Sequence, residues 1–61
     1  MPMTSREMIS LLKKNGFEIV SQNGSHVKMR NPSTGKQTII PRHGELKKGL
    51  ELAILKQTGV K

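Results

Sequence analysis

A histidine and two cations occupy alternate positions in the run Asn23-Gly24-Ser25-His26-Val27-Lys28-Met29-Arg30. Residues two apart on a strand point to the same side, so His26, Lys28 and Arg30 share one face. A histidine with an ordinary pKa of about 6.5 takes or gives a proton near neutral pH. Lysine and arginine stabilise negative charge as it develops on a phosphate. RNA suits such a set, because its own 2′-hydroxyl can attack the adjacent phosphorus. An enzyme then has to move protons, stabilise the phosphorane and align the atoms, and this needs no metal. The blander alternative is a polar surface histidine beside a solvated charge pair of Glu18 and Arg30. His43 is a second candidate proton carrier, or simply a loop histidine flanking the second helix.

The elements that must position these residues follow from local pattern. Thr4-Ser5-Arg6-Glu7 reads as a capping box, with Thr4 as N-cap and Glu7 reaching back. Met8, Ile9, Leu11 and Leu12 give helical spacing, Lys13-Lys14 suit the last turn, and Gly16 suits a left-handed stop. These signals predict a helix over about Ser5 to Asn15. Phe17 to Gln22 and His26 to Arg30 read as strands. A two-residue Asn23-Gly24 turn would pair Ser21 with His26 and Ile19 with Lys28, mixing apolar and cationic residues on one face. A three-residue turn over Asn23-Gly24-Ser25 pairs Ile19 with Met29 and Ser21 with Val27. Glu18 then opposes Arg30, Val20 opposes Lys28 and Gln22 opposes His26. A buried face specifies register strongly, so the second arrangement is expected, with His26, Lys28 and Arg30 on the solvent face.

Asn31-Pro32-Ser33-Thr34-Gly35 is a turn by composition. Lys36 to Pro41 is a third short strand and Arg42 to Glu45 a loop. A second helix is expected from about Lys47 to Thr58, with Leu46, Leu50, Ala53, Ile54 and Gln57 on its inner stripe, widened by Leu52 and Leu55, and Gly59 as its stop. The expected fold is α+β in the order α-β-β-β-α: a three-stranded antiparallel sheet with both helices on one face.

Composition bounds what this fold can do. At 61 residues the chain is one domain, 1–61, and 33% of it is apolar with Phe17 as the lone aromatic. A chain this short buries only about 60% of its unfolded surface, so its stability is marginal. Without cysteine there is no disulfide or thiolate chemistry. No apolar run approaches a membrane span and no signal pattern opens the chain, so a soluble intracellular protein is expected. The net charge is +7, from 11 Lys and Arg against four Glu and no Asp. Such a surface favours anionic partners. A two-metal nuclease needs clustered carboxylates, and Glu7, Glu18, Glu45 and Glu51 are scattered. Phe17 alternates with Ile19 and points inward, so no aromatic platform stacks single-stranded bases. Recognition should rest on backbone charge and shape, with strong salt dependence.

The helix running into Gly16-Phe17, the Gly24-Ser25-His26-Val27-Lys28-Met29 signature, Pro41-Arg42-His43, Glu45-Leu46-Lys47-Lys48-Gly49 and Ile54-Leu55-Lys56-Gln57 follow one another in order. From Thr4 to about Val60, this chain resembles the HicA toxin family, the ribonuclease half of bacterial HicAB toxin–antitoxin pairs. The resemblance implies a fold like the double-stranded RNA-binding domain. It implies mRNA cleavage that needs no metal or other cofactor, with His26 catalytic, in the bacterial cytoplasm. It also implies a HicB antitoxin that binds the toxin and masks that histidine. One departure concerns the second helix. The family often has a threonine after the glycine matching Gly49, where this chain has Leu50.

On this basis His26 is expected to serve as general base on the 2′-hydroxyl or as proton donor to the leaving oxygen. Lys28 and Arg30 hold the phosphates, while Gly24 and Ser25 shape the turn against the RNA. A non-catalytic basic RNA-binding module is the alternative. A third reading is an interaction protein whose basic surface serves an acidic partner.

Overall fold

Thr4 and Glu7 start the first helix, α1 (Ser5–Lys14), as the sequence suggests. The Thr4 hydroxyl accepts the Glu7 N–H at 3.1 Å, and the Glu7 carboxylate accepts the Thr4 N–H at 2.9 Å. The helix ends through two bonds that close its last carbonyls. Phe17 N–H donates to Leu12 O at 2.9 Å and Gly16 N–H to Lys13 O at 3.2 Å. That pairing needs a left-handed residue between them, and Gly16 supplies it at φ +91°. The same turn drops Phe17, 4% exposed, onto Leu12 in the core.

The computed structural model describes residues 3–42 and 44–60. Its three strands, β1 (Glu18–Asn23), β2 (His26–Arg30) and β3 (Gln37–Pro41), form an antiparallel sheet in that order. A second helix, α2 (Lys48–Thr58), closes the expected α-β-β-β-α sequence. The sheet buries Val27, Met29 and Ile40 against Met8 and Leu12 of α1 and Ile54 of α2, so both helices cover one face. The other face is open, with Ile39 54% exposed.

The β1–β2 register departs from expectation. Glu18 opposes Arg30 and Ile19 opposes Met29, as anticipated. Beyond them Ser21 opposes Lys28, Gln22 opposes Val27 and Asn23 opposes His26. The turn is therefore the two residues Gly24-Ser25, not the three residues Asn23-Gly24-Ser25. Gly24 has φ +59° and Ser25 does not have positive φ, the pattern of a type II′ turn, which suits the twist of a hairpin. The mismatch between that turn and the core register is absorbed by Val20, an extra residue at a β-bulge. Alternation is thereby reset. Ser21 and Asn23 move to the open face, while Val20 stays 48% exposed.

The face of α2 is also rotated from the expected one. Ile54 and Thr58 are buried and Glu51 and Leu55 half-buried, whereas Leu50, Ala53 and Gln57 are exposed. The inner stripe is thus 51, 54, 55 and 58: Ile54 and Leu55 lie inward as expected, while Leu52 is exposed with Leu50, Ala53 and Gln57. Glu51 tolerates the inner position because its carboxylate accepts the Met3 N–H at 3.0 Å. Leu46, 2% exposed and just before the helix, fills the core in place of Leu50. Lys47 caps α2 with no side-chain hydrogen bond, and Leu50, where the family often has threonine, lies within the first turn. Gly59 closes it in the left-handed conformation, φ +74°. A bridge between Thr4 and Glu45 ties the start of α1 to the segment entering α2.

Candidate active site

Three cross-strand rows build the open face of the sheet. Asn23, His26 and Pro41 form the row nearest the Gly24-Ser25 turn. Ser21, Lys28 and Ile39 form the next, and Glu18, Arg30 and Gln37 the last. At about 3.3 Å per residue, Lys28 lies about 7 Å along β2 from His26 and Arg30 about 13 Å from it.

Ser21, Asn23, His26, Lys28 and Ile39 line one concavity of about 470 Å³. His26 is exposed within it and Lys28 is half-buried, its stem lying along the sheet. Arg30 shares the face but lies outside this lining. Gly24 and Ser25 form the turn that joins Asn23 to His26 and are not part of this lining. The Ser25 carbonyl accepts the Arg42 N–H at 2.6 Å, which anchors the turn to the chain leaving β3. His43 lies outside the described residues.

The glutamates lie outside this lining. Glu7 belongs to the α1 cap, Glu51 holds the Met3 N–H, Glu45 lies in the Thr4 bridge and Glu18 is in the row farthest from His26. Among the described residues no three His, Asp or Glu side chains gather into a metal-holding group. No helix among them is long and apolar enough to cross a membrane.

Among the described residues this arrangement offers the His26 imidazole for proton transfer, the Lys28 ammonium about 7 Å along the strand, and the Ser21 hydroxyl and Asn23 carboxamide as neutral hydrogen-bonding groups. Ser21 and Asn23 were not singled out from the sequence, because uninterrupted alternation turns both away from His26. The signal that could have found them is Gly24-Ser25, a glycine in the first central place of a two-residue turn.

Known proteins bear on this geometry. Residues 5–60 match the sequence profile of the family described as HicA toxin of bacterial toxin-antitoxin. A relative from Pseudomonas fluorescens (strain Pf0-1), named "Probable mRNA interferase HicA", is 42% identical over 52 residues, covering 82% of this chain and 83% of that protein. No solved structure gives a significant match. A profile match running from the first residue of α1 to the buried Val60, together with a relative aligned along most of both chains, establishes that this chain belongs to the HicA toxin family.

Proposed function

We propose that the protein is the toxin of a toxin–antitoxin pair, an endoribonuclease that cleaves mRNA through His26 and is neutralised by a HicB-type antitoxin. The observation that supports this most is the concavity that His26 and Lys28 line together on the open face of a basic domain. The name of the Pseudomonas relative, an mRNA interferase, supports the same substrate.

In this mechanism the 2′-oxygen bonds to phosphorus while the bond from phosphorus to the 5′-oxygen breaks. The products are a 2′,3′-cyclic phosphate and a 5′-hydroxyl. One proton leaves the 2′-hydroxyl and one is delivered to the 5′-oxygen, and His26 carries one of these two transfers. Lys28 neutralises the charge that builds on the non-bridging oxygens. Arg30, about 13 Å from His26, holds a neighbouring phosphate and sets the path of the strand. Gly24 and Ser25 keep the turn close against the RNA backbone. Four scattered glutamates and no aspartate in the sequence support a route without metal ions.

The decisive experiment is digestion of RNA by wild type and His26→Ala with EDTA present. Wild type should cleave and the variant should not, while both bind RNA. Equal cleavage by the two removes His26 from the mechanism. RNA binding without cleavage by wild type would identify a non-catalytic RNA-binding module.

A further inference from the structure

Leu50 and Ala53 stay out of the core and, with Ile39, form an aliphatic floor facing solvent. Ile39 is 54% and Leu50 38% exposed in a chain with few apolar residues to spare. They line a groove of about 380 Å³ between α2 and β3, within the size range of small-ligand sites. Lys28, Gln37 and Gln57 complete its walls. Lys28 and Ile39 also line the His26 concavity, so the groove continues that site rather than standing apart from it.

We infer that this groove seats the base of a nucleotide flanking the scissile phosphate, and that Gln57 reads its edge. The inference rests on the ribonuclease reading and extends it to substrate choice. In-line attack by a 2′-hydroxyl requires the flanking nucleotides to leave the stacked helical arrangement, and a splayed base needs an apolar surface to lie on. Aromatic rings serve this purpose in many RNA-binding proteins, but the lone aromatic here, Phe17, is buried. The aliphatic floor of Ile39, Leu50 and Ala53 takes that place. Lys28, at the junction of the two hollows, meets the phosphate that joins base to cleavage point.

Gln57 is prepared for reading. Its Oε1 accepts the hydroxyl of buried Thr38 at 2.8 Å, which fixes the carboxamide and leaves its amino group to donate into the groove. A fixed donor selects a base edge that presents an acceptor. The basic chain and the small, polar-edged hollow favour a base over the apolar side chains of a protein partner.

Gln57→Glu keeps the shape and the Thr38 bond but replaces the donor with an acceptor. Cut sites on a long transcript should be mapped for wild type and this variant by sequencing the new 5′ ends. The base preference at one position beside the cut should shift roughly threefold to tenfold away from uracil and toward adenine, cytosine and guanine, which carry exocyclic amino groups. A second arm is independent of cleavage. His26→Ala and His26→Ala/Gln57→Glu are compared for affinity to short RNAs differing at that one base, and the same shift should appear. Unchanged preference in both arms overturns the inference while leaving the ribonuclease intact. Loss of antitoxin binding with unchanged RNA preference also overturns it, and assigns the groove to the protein partner. Failure of wild type to cut, with the binding shift present, would instead count against the ribonuclease reading alone.

Discussion

Cations two residues apart on β2 should fail differently when removed. Lys28 lines the same concavity as His26, so Lys28→Ala should lower the turnover rate about a hundredfold or more, the scale seen when one transition-state donor is lost. Arg30 shares the face outside that concavity, and Arg30→Ala should leave turnover at saturating RNA nearly unchanged. It should instead weaken binding uniformly across sequences and reduce the slope of log affinity against log salt by about one. Steady-state kinetics together with a salt titration separates the two outcomes. Asn23 stands opposite His26 with its carboxamide in the concavity. Asn23→Ala should lower turnover more than RNA affinity, as loss of a group that orients the reacting atoms does.

Turn and helix ends hold these side chains where they are, and their substitution is a matter of conformation rather than contact. A Cβ added at Gly24 would meet nothing within 4 Å, yet the residue has φ +59°. Gly24→Ala should therefore cost about 1–2 kcal/mol through backbone strain alone, visible in a urea titration. Thr4→Ala removes one half of the capping box and should cost about 1 kcal/mol. The α1 cap was legible in the sequence because all its parts lie within four residues. His26 to Arg30 was legible as a strand because Val27 and Met29 alternate with charged neighbours. The register past Ile19 was not, because it depends on where an extra residue is accommodated, and nothing local to Val20 distinguishes it from a regular strand residue. The inner face of α2 was hidden for a different reason. Leucines at 46, 50, 52 and 55 surround the helix, and Glu51 can turn inward only because Met3, far away in sequence, donates to it. Ser21, Asn23 and the groove beside Leu50 all follow from those two non-local facts.

The whole molecule is small, basic and open on one side, and its stability should respond to whatever covers that side. An RNA with a 2′-deoxy sugar at the cleavage point cannot be cut but keeps its phosphates. At a hundred times its dissociation constant it should add about 2.7 kcal/mol, raising the melting temperature by about ten degrees or more. Raising the salt concentration should erase much of that gain. The bridge between Thr4 and Glu45, reinforced by the Met3–Glu51 bond across 48 positions, has a kinetic counterpart. Closing so long a loop costs more chain entropy than closing either of the two hairpins it encloses. The β1–β2–β3 meander should therefore assemble first and the clasp last. In the native state the clasp is then an early place to open: amide protons of Ser5 and Leu46, which bond across it, should exchange with solvent sooner than that of Met29 at the centre of the sheet. The wall of the groove formed by α2 would loosen with them, leaving the histidine face of the sheet intact while its neighbour comes and goes.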